Sequence, residues 1–202
     1  QRNHFGGSFG GPFWKNKLYF FVNAERIKQD LIVPLAPAPP FQDLPAGYPS
    51  PFKDTMTLGR LDWQIKPNMH LFYRFTYEWN GTTKAYGSTY QPFTNRDNTP
   101  AHGVGLDFST GGFQHSIRFG YLKFQNGIVD AVAGNPGVFW PTRGVANIAI
   151  RIGSPTTVTR FGPSRLAPQE TFQSNKQIKY DGSKLLGGSH ILRYGFAYNK
   201  IL

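Results

Sequence analysis

Apolar and polar side chains alternate with a period of two through most of this chain. In Leu58-Gly59-Arg60-Leu61-Asp62-Trp63-Gln64-Ile65, and after only Lys66-Pro67-Asn68 in Leu71-Phe72-Tyr73-Arg74-Phe75-Thr76-Tyr77-Glu78-Trp79, the alternation predicts one long antiparallel hairpin. Leu61, Trp63 and Ile65 share a face that carries no charge, as do Leu71, Tyr73, Phe75, Tyr77 and Trp79. Arg60, Asp62, Gln64, Arg74, Thr76 and Glu78 take the opposite face. An aromatic-rich, apolar outside with a charged inside is the pattern of a β-barrel strand in a membrane, the inverse of a soluble barrel.

The same reading gives eight strands, at about 3–13, 17–28, 56–65, 69–79, 100–109, 114–126, 172–183 and 190–201. The gaps between them alternate without exception. Trp14-Lys15-Asn16, Lys66-Pro67-Asn68, Thr110-Gly111-Gly112 and 184–189 are short, whereas 29–55, 80–99 and 127–171 are long. Periplasmic turns and extracellular loops have that asymmetry in outer-membrane barrels. On the second strand Leu18, Phe20, Val22 and Ala24 face lipid; so do Ile117, Phe119 and Tyr121 on the sixth, and Leu192, Tyr194, Phe196 and Tyr198 on the eighth. Arginine therefore recurs inside, at Arg60, Arg74, Arg118 and Arg193. The competing reading is a soluble sandwich, with Leu, Phe and Tyr as core and Arg in bulk water. Long strands, aromatic residues near strand ends and the regular loop asymmetry weigh against it. In the last long gap, 146–152 alternates again, a piece able to pair locally or to fold back over the barrel mouth.

Composition narrows the class without changing it. With 23 Gly, 16 Pro and 16% aromatic residues, the chain is too rich in turn formers for a helical bundle. No run approaches the roughly 18 uncharged apolar residues that a spanning helix needs, and a mean hydropathy of −0.40 suits alternating strands. The absence of Cys excludes a disulfide scaffold and a thiolate metal site. The net charge of +11 raises the question of nucleic acid, but the 22 basic residues are scattered and form no cluster of five or more. An arginine-lined lumen, or loops facing a phosphate-rich lipopolysaccharide surface, accounts for the sign equally well. The chain begins Gln1-Arg2-Asn3-His4 with no initiator Met and no signal-peptide core, and is expected to be an internal piece of a longer protein.

Candidate chemistry is sparse, and no enzyme is expected. Gly6-Gly7 and Gly10-Gly11 form neither phosphate-binding motif and are followed by Pro12 and a strand. The histidines at 4, 70, 102, 115 and 190 have no metal-ligand spacing, and Ser189-His190 with Asp181 resembles no nucleophile elbow. No catalytic residue, metal site or cofactor is expected. Asp62 and Glu78 lie near Arg60 and Arg74 on facing strands, where interior ion pairing is expected rather than acid-base work.

Phe5-Gly6-Gly7-Ser8-Phe9-Gly10-Gly11-Pro12, with Lys15-Asn16-Lys17-Leu18-Tyr19-Phe20-Phe21 and Ala24-Glu25 after it, resembles the opening barrel segment of TonB-dependent outer-membrane receptors. The similarity is to the Oar-like type, which carries a carboxypeptidase-regulatory-like N-terminal domain. Arg60-Leu61-Asp62-Trp63-Gln64 with Leu71-Phe72-Tyr73-Arg74-Phe75 is similar to the next hairpin, and 188–196 to a later one. The resemblance implies an all-β, 22-stranded antiparallel barrel in the outer membrane of a Gram-negative bacterium, plugged by an upstream domain. Such a barrel imports a bulky ligand with energy passed through the TonB complex. Residues 1–202 are then part of that one barrel domain, strands two to nine, with the plug, the N-terminal domains and the TonB box lying elsewhere. Arg60, Asp62, Arg74, Glu78, Arg118 and Arg193 are the expected lumen-facing residues, contacting plug or ligand. The other expected partners are outer-membrane lipid and lipopolysaccharide, with no nucleic acid. A non-transporting barrel or surface adhesin is the alternative.

Overall fold

A computed structural model of the chain describes residues 1–35, 37, 39–85, 90–131, 147–152, 157–163 and 167–202. The strands are β1 (Arg2–Trp14), β2 (Leu18–Gln29), β3 (Ile32–Pro34), β4 (Gly47–Pro49), β5 (Phe52–Lys66), β6 (Met69–Ala85), β7 (Pro92–Thr110), β8 (Phe113–Asp130), β9 (Ile148–Ile152), β10 (Thr157–Phe161), β11 (Gln169–Leu186) and β12 (His190–Ile201). Eight of them form one antiparallel sheet in the order β1-β2-β5-β6-β7-β8-β11-β12, so each strand neighbours the next long one in the chain. These are the eight strands expected from the alternation. The hairpins β3/β4 and β9/β10 stand apart as two-stranded sheets, and β9 realises the local pairing foreseen for 146–152, except that residue 146 lies outside the described residues.

The turns explain how the short gaps close. Gly111 and Gly112 both have positive φ, 56° and 78°, as a two-residue turn matched to strand twist requires, and Gly187 and Gly188 repeat the pair at 57° and 78°. Asn16 takes the left-handed conformation, φ 63°, in the first turn.

At the opposite end the strands run further than the alternation indicates. Expected loop 80–99 is mostly strand, since β6 continues to Ala85 and β7 starts at Pro92. The loops expected at 29–55 and 127–171 shrink likewise to 30–51 and 131–168. A ladder there is held by backbone hydrogen bonds and needs no apolar side, so periodicity gives no sign of it. Pro100 is not a strand start either. The β7–β8 ladder keeps its register but skips Thr99 and Pro100, which leaves the missing Pro N–H without a position to fill on that side.

Register carries the alternation coherently across the sheet. One row reads Phe20, Leu61, Tyr73, Val104, Phe119, Ile178 and Tyr198; its neighbour on the other face reads Phe21, Arg60, Arg74, Gly103, Gly120, Gln177 and Asn199. The apolar face is uncovered, with Phe9 70%, Phe196 58% and Phe119 48% exposed. A sandwich would lay a second sheet over it, and among the described residues only the two small hairpins are available. Among the described residues no second sheet faces the first as a sandwich requires.

What is buried lies at the loop end. Leu35, Tyr48, Tyr90 and Phe161 form a small core against which Val33, Phe41, Leu44 and Ile150 pack. Tyr90 and Phe161 stack at 5.4 Å, and the Tyr90 hydroxyl donates to the Pro45 carbonyl at 2.8 Å. Gln91 and Asn147 both donate to the Pro163 carbonyl, at 3.1 and 2.8 Å. All three long connections therefore meet. Of the buried sheet positions beside them, Asp54, Thr82 and Phe93 belong to the charged face and Pro92 has the opposite parity, so the connections gather mainly on the charged side of the sheet.

Candidate functional site

The charged face is the surface on which function can reside, and the alternation alone assembles it. Arg60 and Asp62 are two residues apart on β5, hence on one side, and the guanidinium grips the carboxylate with Nε and Nη2 at 2.7 and 2.8 Å. Asp62 also meets His70 Nε2 at 3.1 Å. Three strands further on, Arg118 of β8 donates both bonds from Nη2 to the Asp107 carboxylate of β7, at 2.7 and 2.8 Å. Between the two pairs lies Phe72, with the Arg60 guanidinium 4.6 Å and the Arg118 guanidinium 5.1 Å from its ring centre. The ring has room because Gly105 is its register partner, where a Cβ would collide with it. Lys179 closes the row against Asp181 at 2.9 Å.

Arg74 is different. It is opposite Arg60, and among the described residues it has no hydrogen bond or ion pair, so the interior pairing expected for it is not made. The next positions in its row are Gly103 and Gly120, which leave a hollow of about 320 Å³ bordered by Arg60, Phe72, Arg74, Arg118, Gln177 and Lys179. No neighbouring atom lies within 4 Å of a Cβ built at Gly103, so the floor is bare backbone. Four cations thus surround an open floor, and three of them already hold a carboxylate.

The remaining expected residues lie elsewhere. Glu78 is opposite Met56 and Thr99 and makes no ion pair among the described residues, so it is not the partner of Arg74. Arg193, on β12, lines a larger hollow of about 790 Å³ at the turn end with His70, Asp107, Gln114 and Asp181. Expected residues Arg60, Asp62, Arg74 and Arg118 are therefore brought together, and Glu78 and Arg193 are not. Asp107, Phe72 and Lys179 were missed. The first had a signal: with a turn centred on Gly111-Gly112, Asp107 falls opposite Ser116 and diagonal to Arg118. Among the described residues no three His, Asp or Glu gather as a metal site would require.

No protein-family model and no curated protein matches the chain. Among solved structures it is similar to the crystal structure of the outer membrane transporter YddB from Escherichia coli, with a TM-score of 0.69 at 10% identity. The match covers 99% of this chain and 25% of that one, so the chain spans about a quarter of the transporter's length. At this identity the likeness is one of fold: the chain is an all-β, antiparallel sheet shaped like a sector of an outer-membrane transporter barrel.

Proposed function

We propose that this chain is part of the wall of a TonB-dependent outer-membrane receptor, which imports a bulky ligand past a plug domain. The observation that carries the reading is the sheet itself. Eight long antiparallel strands in meander order present an uncovered aromatic face on one side and paired charges on the other, over a fold shared with a transporter. In this reading the aromatic face meets lipid, the charged face lines the lumen, the short turns are periplasmic and the long connections cap the outer mouth. The full wall has 22 strands, of which these are eight. Arg74 and the glycine-floored hollow receive a carboxylate from the plug or the ligand, since Arg74 is the one of the four cations around the hollow that has no hydrogen bond or ion pair among the described residues.

The test uses the full-length protein in its own host, with and without TonB depletion, and follows uptake of labelled ligands too large for general porins. Uptake that needs both proteins is expected, and Arg74→Ala should reduce it while barrel levels in the membrane stay normal. Import that continues without TonB would remove the energised mechanism. Normal import by Arg74→Ala would leave the hollow without a role.

A further inference from the structure

The two faces of the sheet treat like charges differently. On the charged face Arg60 stands in register opposite Arg74 and Arg118 opposite Lys179, and three of these four hold an aspartate. On the apolar face Lys28 stands opposite Lys53 and Lys176 opposite Lys200. All four lysines are exposed, and none has an ion pair among the described residues. Arg26, Arg96 and Lys123 share that face by strand parity. Glu170 is the acidic residue that parity places there; Asp30 and Asp43 stand outside the strands of the sheet, and every other acid faces the opposite way. Like charges directly across a ladder repel at a Cβ separation of about 4.5–5.5 Å. The counter-charge that the inner wall supplies from its own aspartates is missing here.

The lysines are also level. Lys28 is twelve residues from Asn16, Lys176 and Lys200 are each twelve from Gly188, and Lys53 is fourteen from Pro67. Just below them on the same face are Tyr77, Tyr121 and Tyr198, nine or ten residues from their own turns. Tyrosines at that position mark where hydrocarbon gives way to headgroups, and long lysine stems reach outward from there. We propose that this basic belt binds the phosphate groups of anionic glycolipid in the outer leaflet, each opposed lysine pair clasping one phosphate. The inference rests on the membrane-barrel reading. Lipid is the source of the phosphate because the face directly beneath the lysines is uncovered and apolar, which suits acyl chains and no soluble anion.

The experiment titrates purified full-length protein in detergent with a diphosphorylated glucosamine acyl lipid, its dephosphorylated form, and sodium phosphate, read by native mass spectrometry. The diphosphorylated lipid should bind, and each of Lys28→Gln, Lys53→Gln, Lys176→Gln and Lys200→Gln should weaken it about fivefold. Lys66→Gln and Lys184→Gln, at the turn end, should leave it unchanged. Equal binding of the dephosphorylated lipid, displacement by free phosphate, or wild-type affinity in the four variants would overturn the belt. Because the variants are compared only where they still insert and migrate as heat-modifiable barrels, such a result bears on the belt alone; a full-length chain found outside the outer membrane overturns the barrel reading together with it.

Discussion

Phe72, held between two guanidinium groups over Gly105, shows how one inward side chain organises this surface. Flanking cations orient the ring, the carboxylates of Asp62 and Asp107 fix the cations, and the glycine keeps the space free. Each role follows from which face a residue occupies, and the face is what substitution can test. Phe75 and Phe119 lie mid-strand on the apolar side, seven residues from Asn68 and Gly112; Thr76 and Ser116 lie on the charged side. Arginine at Phe75 or Phe119 should cost about 2–4 kcal/mol of barrel stability if those positions face the bilayer interior, whereas arginine at Thr76 or Ser116 should be tolerated. Denaturant unfolding of the full-length protein in lipid vesicles measures the contrast. Equal costs at the two pairs would mean that both faces meet water. The sequence shows facing at this scale because period two depends on no partner strand. It hides that Arg74 goes unpaired: Arg60 has Asp62 two residues along its own strand, whereas what flanks Arg74 depends on register, which sets Arg60 on one side of it and Gly103 on the other.

At the level of elements, strands and loops differ in how far they can be read. The hairpin Phe52–Lys66 with Met69–Ala85 announces itself through alternation and Pro67-Asn68, but its outer third carries Asn80, Gly81 and Thr82 and is invisible to a hydropathy pattern. The loop core is less legible still. Its contacts join Pro45 to Tyr90 and Tyr90 to Phe161 across long stretches of chain, with no periodicity to reveal them. That core has a pH dependence. Burial pushes the hydroxyls of Tyr48 and Tyr90 above their ordinary range. In the opened loops these hydroxyls would ionise near pH about 10, while in the packed core they keep their protons to higher pH. Packed loops thus bind more protons than opened ones only above about pH 10, so the core should be indifferent to pH below that value and loosen above it. An alkali-stable protease acting on the solubilised full-length protein should cut 30–51 at a steady rate up to that pH and faster beyond it. A rise starting near neutrality would place the tyrosines in water.

For the molecule as a whole, the decisive property is what remains uncovered. Among the described residues both edge strands, β1 and β12, offer backbone groups with no partner strand, and the aromatic face has no apolar cover. The 202-residue chain made alone should therefore aggregate in plain buffer and stay dispersed only in detergent or lipid. Light scattering during sedimentation decides it, and a monodisperse monomer with a cooperative melt in buffer alone would contradict the membrane reading. The open sheet was readable in outline, from eight alternating segments and unequal gaps. The gathering of the connections on the charged side was not, because it depends on contacts among all three at once.

The register rows have one further consequence. Phe20 is four residues from Asn16, while Tyr198, six strands along the same row, is ten residues from Gly188. The row has climbed six residues in six steps, a shear of one residue per strand. With a rise of about 3.3 Å per residue and about 4.8 Å between strands, that slope inclines the strands by about 35°. At that inclination the ten or so residues from the lowest to the highest outward aromatics rise about 27 Å, close to the apolar height of an outer-membrane barrel of about 25 Å. In the membrane-barrel reading the thickness of the bilayer is written into the stagger of the hairpins, and polarised infrared spectra of the full-length protein in oriented bilayers should return strands tilted by that amount.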